Sequence, residues 1–259
     1  MQTEVFENVK GILFDMDGVV HIGNSLVPGA ADTINHLDSR GIPYRFLTNT
    51  TTLSPESLWR KMVDMGLPIT SDVILTVHQA AATYLGRSPQ QKCYLLIDAN
   101  ALPAYKGLPQ SESHPDRIVI GDIGDRWNYT LLNDIFTMVM GGAEMVALHK
   151  GRFWQTERGL RMDIGAFVCG LEYATGVQAT IIGKPAPAFF EAALHDLGLD
   201  KKAVVMIGDD IETDVGGAQM AGIRGVLVKT GKYRQDDVDR SAVEPDAVLS
   251  SITDLMEML

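Results

Sequence analysis

Two aspartates, Asp15 and Asp17, stand one residue apart at the end of the apolar run 11–14 and are followed by Gly18. Alternate residues of a strand share a face, so both carboxylates would enter one small volume and repel each other. A divalent cation removes that cost, and Mg²⁺ suits the task because it takes oxygen ligands and is commonly completed by a substrate phosphate. The pattern predicts metal-assisted chemistry on a phosphate. The alternative is a solvated turn, since Asp and Gly are common turn residues.

Other polar side chains follow further predicted strands, where the carboxyl ends of a parallel sheet gather ligands. They are Thr48 and Asn49 after the run 42–47, Asp209 and Asp210 after the run 203–207, Asp214 four residues later, and Lys184 just before a predicted helix. Together they offer what phosphoryl transfer needs: a carboxylate that attacks phosphorus, a second that carries protons, and donors for the phosphoryl oxygens. Taken singly, each has an ordinary alternative as a polar strand exit, a surface lysine or a loop charge pair.

The elements that must position these residues alternate along the chain. A helical pattern opens at residue 30 and ends near Gly41, and a second helix begins at Pro55 with Ser54 as its N-cap and stops near Gly66. A further helical pattern runs through 187–197 and stops at Gly198. Strands and helices in alternation predict an α/β fold with a parallel sheet.

The middle of the chain starts a new pattern. Strands are predicted at 94–97, 118–120 and 145–148, with a helix at 129–140. We therefore expect residues 1–77 and 182–259 to form one core domain and residues 78–181 to form a second, inserted domain. Within this insertion Asp122 also follows an apolar strand, but position 127 is Trp rather than Asp, and we assign no metal there.

Four short motifs in order carry a resemblance to a known family. They are Phe14-Asp15-Met16-Asp17-Gly18, Leu47-Thr48-Asn49, Gly183-Lys184-Pro185, and Gly208-Asp209-Asp210 through Thr213-Asp214. The chain resembles the haloacid dehalogenase (HAD) superfamily of Mg²⁺-dependent phosphohydrolases, and the insertion is similar to the type 2 cap of its NagD-like branch, subfamily IIA. The resemblance implies a Rossmann-like parallel-sheet core with an inserted α/β cap, and hydrolysis of a small phosphorylated metabolite: a phosphomonoester, a phosphoamide or a pyrophosphate.

The resemblance also implies roles for the motif residues. Asp15 would be the nucleophile that forms an aspartyl phosphate, and Asp17 would protonate the leaving oxygen and later activate water. Mg²⁺ would be held by the Asp15 carboxylate, the Asp17 backbone carbonyl and the Asp209 carboxylate. The remaining implied roles are charge compensation by Lys184, phosphoryl binding by Thr48 and Asn49, and orientation of metal-bound water or Lys184 by Asp214 and Asp210.

Composition restricts the partners. Twenty-two Lys and Arg against thirty-three Asp and Glu give a formal charge of −11, which disfavours nonspecific binding to nucleic acid or to an anionic membrane. Residues 1–5 lack a basic segment followed by an apolar stretch, and no later run approaches membrane-spanning length, so we expect a cytoplasmic protein. Cys93 and Cys169 lack metal-ligand spacing. Cap-mediated dimers among the family imply a homodimer.

Two points stay open in the sequence. The basic residues of the insertion, His149, Lys150, Arg152 and Arg161, either face the substrate or lie in solvent, and we favour solvent for the two arginines. A phosphoaspartate signalling domain of the receiver type is the alternative function, since it also combines acidic residues, Thr and Lys on a parallel sheet. It would hold its phosphate without multiple turnover and would not need the insertion. Halide removal from carbon is disfavoured because Asp17 supplies the acid that a phosphate ester needs.

Overall fold

The structure is a computed structural model that describes residues 3–156 and 159–259. The strands of the described chain, in order, are β1 (Gly11–Asp15), β2 (His21–Ile22), β3 (Ser25–Leu26), β4 (Tyr44–Thr48), β5 (Ile74–Thr76), β6 (Cys93–Leu96), β7 (Arg117–Ile120), β8 (Glu144–Ala147), β9 (Phe153–Thr156), β10 (Gly159–Met162), β11 (Thr180–Ile181), β12 (Val204–Gly208), β13 (Arg224–Val228) and β14 (Ala247–Leu249). The helices are α1 (Ala30–Arg40), α2 (Pro55–Asp64), α3 (Val77–Gly86), α4 (Tyr129–Met140), α5 (Gly165–Thr175), α6 (Pro187–Leu197), α7 (Gly217–Met220), α8 (Gln235–Arg240) and α9 (Leu255–Met258).

The larger sheet is parallel throughout, with the strand order β14-β13-β12-β1-β4-β5. Every residue of β1 and β12 is buried, as expected for central strands covered on both faces. Alternate residues of β1 serve the two faces: Ile12 and Phe14 pack with α1, α2 and α9, whereas Leu13 packs with α6 and α7. This Rossmann-like parallel sheet with helices on both faces confirms the predicted fold class.

A second, four-stranded parallel sheet is formed within the middle of the chain, with the order β11-β8-β7-β6. One face packs on α3 and the other on α4 and α5. The antiparallel hairpin of β9 and β10 follows β8. The predicted domain boundary after residue 77 lies at the start of α3, and the assignment of two separate domains stays a prediction.

Local signals account for the helix ends. The Ser54 hydroxyl accepts a hydrogen bond from the Ser57 N–H at 3.1 Å and caps α2, whereas Gly41 and Gly198 end α1 and α6 with positive φ angles of 65° and 67°. The helix predicted at 129–140 is α4. The spacing did not indicate α3, α5 or the β9–β10 hairpin. No helix of the described residues is long and apolar enough to cross a bilayer.

Candidate active site

The site lies at the carboxyl ends of three neighbouring strands, β12, β1 and β4. Asp15 ends β1 and is paired in register with Leu47, so Thr48 lies one residue beyond it. On the other side Phe14 is paired with Ile207, which places Asp209 just past the end of β12. The parallel register therefore brings together motifs that are nearly two hundred residues apart, as the sequence predicted.

Three carboxylates form a buried cluster at this edge. Ligand atoms of Asp15, Asp209 and Asp214 all lie within 4.8 Å of one another. The Asp209 Oδ2 atom accepts a hydrogen bond from the Lys232 N–H at 2.6 Å, whereas its Oδ1 atom is buried and makes no hydrogen bond within the described part of the chain. Buried carboxylate oxygens without donors are costly, and a cation is the partner that satisfies them.

Lys184 lies in the loop between β11 and α6 and points its ammonium into the cluster. Its Nζ atom is 2.6 Å from Asp15 Oδ1 and 2.7 Å from Asp214 Oδ1. The Asn49 side chain holds the backbone of the same lysine, since its Oδ1 accepts from the Lys184 N–H and its Nδ2 donates to the Lys184 carbonyl, each at 2.9 Å. Nδ2 carries a second hydrogen, which neither of these two hydrogen bonds uses. Binding of a phosphoryl oxygen by this hydrogen stays a prediction.

Asp17 lies apart from the buried cluster. Its side chain is 54% exposed, and its Oδ2 atom accepts a hydrogen bond from the Thr50 hydroxyl at 3.1 Å. The Thr48 hydroxyl in turn donates to Thr50 Oγ1 at 2.9 Å, so it must rotate before it can donate to a phosphoryl oxygen. His21 Nε2 is 3.5 Å from Asp17 Oδ1. The carboxylate of Asp17 is thus exposed at the opening of the site, whereas that of Asp15 belongs to the buried cluster.

Asp210 and Asp214 fix the loop after β12. Asp210 Oδ1 accepts from the N–H groups of Glu212 and Thr213 at 3.0 Å each, which caps the π-helical turn Ile211–Gly216. Asp214 Oδ2 accepts from the Asp210 N–H at 3.1 Å, while its Oδ1 contacts Lys184. Asp210 is therefore a loop-building residue, and Asp214 orients the lysine directly.

The electrostatics of the cluster favour a cation. Burial, together with Asp15 and the other acidic neighbours, raises the pKa of Asp209 well above its ordinary range and the pKa of Asp214 to about 6, although Lys184 opposes the latter shift. Burial acts to lower the pKa of Lys184, but Asp15 and Asp214 outweigh it and the pKa lies above its usual value. Burial is the largest cause of both raised pKa values, and the neighbouring carboxylates add to it.

Two glycines, Gly18 and Gly231, bring their backbones against the Asp209 carboxylate. Gly18 and Gly231 have positive φ angles of 86° and 61°. A Cβ atom would lie 1.8 Å from Asp209 Oδ2 at Gly18 and 2.0 Å at Gly231. Only glycine allows the backbone to approach the carboxylate so closely.

The carboxylate cluster fits a magnesium ion. Mg²⁺ prefers oxygen ligands, and the cluster offers carboxylates from Asp15 and Asp209 with an unsatisfied oxygen on the latter. The glycine backbone at Gly18 and Gly231 packs closely against the other oxygen of Asp209, Oδ2.

The second sheet covers the site and completes a cavity of about 220 Å³. Of the four basic residues noted in the insertion, His149 is buried and lines this cavity. Lys150 instead pairs with Glu172 at 2.7 Å, and Arg152 is exposed, 3.9 Å from Asp237. Arg161 is exposed and lies over the Trp154 ring, 5.9 Å from its centroid. The preference for solvent at the two arginines agrees with these positions.

Comparison with known proteins decides the family. Residues 12–107 match the family model described as haloacid dehalogenase-like hydrolase, and residues 181–255 match a second, HAD-hydrolase-like model. The chain is 41% identical over 232 residues to haloacid dehalogenase-like hydrolase domain-containing protein 2 of Bos taurus, covering 90% of this chain and 88% of that protein. The chain belongs to the haloacid dehalogenase-like hydrolase family. The predicted resemblance is confirmed.

Further HAD relatives indicate the type of reaction. The phospholysine phosphohistidine inorganic pyrophosphate phosphatase of Danio rerio is 34% identical over 256 residues, covering 96% of this chain and 94% of that protein. The 4-nitrophenylphosphatase of Thermotoga maritima superposes with a TM-score of 0.89 at 26% identity over 98% of each chain. NagD of E. coli superposes with a TM-score of 0.82 at 27% identity, covering 94% of this chain and 97% of NagD. This HAD protein is a phosphatase of the NagD-like branch, as predicted.

Several residues of the HAD site were not predicted from the sequence. They are Thr50, His21, Gly231, Lys232, Asp163 and Trp154, all of which line the cavity. Lys232 had a weak signal, because Gly231-Lys232 follows a strand end on the same sheet, after β13. Thr50 directly follows the second motif and could have been found by extending it. Asp163 and Trp154 lie on or beside a hairpin that the apolar pattern did not reveal.

Proposed function

We propose that this phosphatase hydrolyses a small phosphorylated metabolite with Mg²⁺ through an aspartyl phosphate on Asp15. The observation that carries the proposal is the position of Asp15, whose Oδ1 is 2.6 Å from the Lys184 ammonium at the base of the cavity and whose carboxylate belongs to the cluster with Asp209 and Asp214. A carboxylate that is held by a cation and open to a cavity is arranged to act as a nucleophile.

In the first half-reaction a carboxylate oxygen of Asp15 forms a bond to phosphorus while the bond from phosphorus to the leaving atom breaks. Asp17, held by the Thr50 hydroxyl at the opening, gives its proton to the leaving atom. Lys184 and a hydroxyl or amide from Thr48 and Asn49 offset the charge on the phosphoryl oxygens. The leaving group departs with that proton, and Asp15 carries the phosphoryl group.

In the second half-reaction water attacks the same phosphorus. Asp17, now a carboxylate, takes a proton from the water, and the bond between phosphorus and the Asp15 oxygen breaks. Inorganic phosphate leaves, and both aspartates return to their initial states. Asp17 therefore acts first as an acid and then as a base, and its carboxylate, 54% exposed, is accessible to the leaving group and to water.

Mg²⁺ would be held by the Asp15 and Asp209 carboxylates and the Asp17 backbone carbonyl. When bound, it supplies positive charge that offsets the carboxylates, so that an anionic phosphate can bind beside them. Asp214 would keep Lys184 oriented, and Asp210 would keep the loop after β12 in shape. The buried Asp209 Oδ1 atom, which makes no hydrogen bond within the described residues, supports this assignment, and a cation would lower the raised pKa of Asp209.

We also propose that residues 78–181 act as a cap that limits access to small substrates, namely phosphomonoesters, phosphoamides or pyrophosphate. A cavity of about 220 Å³ between the two sheets supports this size limit. The name of the Danio rerio relative includes phospholysine, phosphohistidine and inorganic pyrophosphate. A cytoplasmic location and a homodimer remain predictions.

The test uses 4-nitrophenyl phosphate as the probe and compares the wild type with Asp15→Asn. We expect the variant to lose about 10³-fold or more in kcat, because a neutral amide is a far poorer nucleophile. Excess chelator should abolish wild-type turnover, and added Mg²⁺ should restore it. Acid quench during turnover should trap a phosphorylated peptide that contains Asp15. Asp32→Asn, an exposed change of the same kind on α1, should retain full activity.

Three results would contradict the proposal. Full turnover in excess chelator would show that the reaction needs no metal ion. An unchanged rate in Asp15→Asn would exclude the aspartyl phosphate intermediate. A single turnover followed by stable phosphoprotein would support the receiver-type alternative instead.

A further inference from the structure

The cavity has two sides that are supplied by different parts of the chain. The catalytic side carries the cluster of Asp15, Asp209 and Asp214 together with Lys184. The opposite side, which we call the leaving-group side, consists of Asp122, His149, Trp154 and Asp163 from the second sheet and its hairpin. In the proposed reaction the phosphoryl group occupies the catalytic side, so the remainder of the substrate must lie against the leaving-group side.

The two carboxylates of the leaving-group side are fixed by backbone donors. Asp122 Oδ1 accepts from the Gly124 N–H at 2.8 Å, and Asp163 Oδ1 accepts from the Ile164 N–H at 2.7 Å. Within the described part of the chain, neither carboxylate forms an ion pair with a lysine or arginine; the nearest basic group to Asp163 is His149, whose Nε2 is 3.9 Å from Oδ1. Both carboxylates therefore present negative charge to the cavity.

His149 does not neutralise them. Its side chain is only 6% exposed, and its Nδ1 accepts a hydrogen bond from the Gly151 N–H at 3.1 Å, so the ring hydrogen is on Nε2. That Nε2–H makes no hydrogen bond to another described residue. Burial lowers the pKa of His149, although Asp163 partly opposes the shift, and the ring is neutral at pH 7. His149 offers the substrate a hydrogen-bond donor without a charge.

Two lysines of the cavity lie beside the catalytic cluster. Lys184 contacts Asp15 and Asp214, and the Lys232 N–H donates to Asp209 at 2.6 Å, although the charges of both lysines also act on His149. Lys61 is the remaining lysine among the described lining residues, and the two carboxylates outnumber it. Trp154, 40% exposed, adds an aromatic surface, but the Arg161 guanidinium already lies 5.9 Å from its ring centroid, so the negative charge of this side comes from Asp122 and Asp163.

We propose that the leaving-group side selects substrates whose leaving group is cationic or uncharged and discriminates against anionic leaving groups, pyrophosphate included. This inference rests on the proposed phosphatase function and narrows its substrate class. The catalytic side recognises the phosphoryl dianion in every substrate, so a second anionic group would have to lie beside Asp122 and Asp163, at an energetic cost. An ammonium group in the same place is attracted to them.

The test compares two aryl phosphates of nearly equal size: tyramine O-phosphate, with an ammonium, and 4-hydroxyphenylacetate O-phosphate, with a carboxylate. With Mg²⁺ at neutral pH, we expect kcat/KM to be at least about tenfold higher for the cationic substrate, mainly through KM. The isosteric variants Asp122→Asn and Asp163→Asn should each reduce this ratio. Asp125→Asn removes one charge from the same loop as Asp122 but lies outside the cavity, and it should leave the ratio unchanged.

The outcomes separate this inference from the phosphatase proposal. Turnover of both compounds with equal kcat/KM, or with a preference for the carboxylate, would overturn the charge selection and leave the phosphatase function intact. A cationic preference that persists in Asp122→Asn and Asp163→Asn would also overturn it, because the selection would then arise elsewhere. Loss of turnover with 4-nitrophenyl phosphate as well would instead contradict the proposed function.

Discussion

The side chain of Asn49 clasps the backbone of Lys184, 135 residues away, through two hydrogen bonds of 2.9 Å. The amide donates to the Lys184 carbonyl and accepts from its N–H, so only a side chain with both a donor and an acceptor can make the pair. This clasp joins the loop after β4 to the loop before α6. It fixes the backbone from which the lysine reaches Asp15 and Asp214.

We predict that Asn49→Ala lowers kcat by about 10- to 100-fold, since a displaced lysine no longer offsets charge at the nucleophile. The measurement is steady-state hydrolysis of 4-nitrophenyl phosphate with saturating Mg²⁺. The exposed Asn35→Ala on α1 is the control and should behave as the wild type. A kcat unchanged in Asn49→Ala would show that the lysine keeps its place without the clasp.

Gly231→Ala should weaken Mg²⁺ binding. The new Cβ would lie 2.0 Å from Asp209 Oδ2 and must displace that carboxylate, a proposed metal ligand. We expect the Mg²⁺ concentration for half-maximal activity to rise by about tenfold or more. The measurement is a Mg²⁺ titration of the initial rate.

Gly176→Ala is the matched control for backbone strain. Gly176 has a similar φ of 71°, but a Cβ there would meet nothing within 4 Å. Both variants should lose about 1 kcal/mol of stability from the left-handed backbone, and only Gly231→Ala should change the Mg²⁺ titration. An equal change in both would assign the effect to strain rather than to Asp209.

His78 should make the protein less stable in acid. Its Nε2–H donates to the Thr51 carbonyl at 3.0 Å, and its Nδ1 accepts from the Tyr105 hydroxyl at 2.8 Å. Burial lowers its pKa from 6.5, so below pH 6.5 the unfolded chain binds a proton that the folded chain does not. The contribution of neutral His78 to the free energy of unfolding is complete above pH 6.5. It is lost as the pH falls, by up to about 1.4 kcal/mol per pH unit.

The measurement is urea unfolding of the wild type and His78→Gln between pH 7 and pH 5. Asp214, whose pKa is raised to about 6, acts in the opposite direction, so the comparison is between variants rather than between absolute values. We expect the difference in unfolding free energy between the two proteins to shrink toward pH 5. Tyr105→Phe keeps the imidazole and should retain an acid-dependent loss. A difference that is constant with pH would contradict the assignment.

The parallel α/β fold and the chemistry of its motifs are predictable from local sequence patterns. Apolar runs too short for helices, each ending in polar residues, predicted β1, β4 and β12, and the rule that ligands gather at the carboxyl ends of parallel strands predicted that Asp15, Thr48 and Asp209 would meet. Glycine and capping signals placed the ends of α1, α2 and α6. These features are local, so a pattern of a few residues is enough to predict them.

The hydrogen-bond and ion-pair partner of each polar group, by contrast, follows from the folded arrangement of distant segments. The sequence could not show that Asn49 binds the Lys184 backbone, that Asp214 contacts Lys184 while Asp210 caps a turn, or that Gly231 encloses Asp209. It also could not select His149 from four basic neighbours as the one that lines the cavity. Such relationships depend on distances between segments far apart in the chain, and those distances are set by sheet register and by packing between the two sheets.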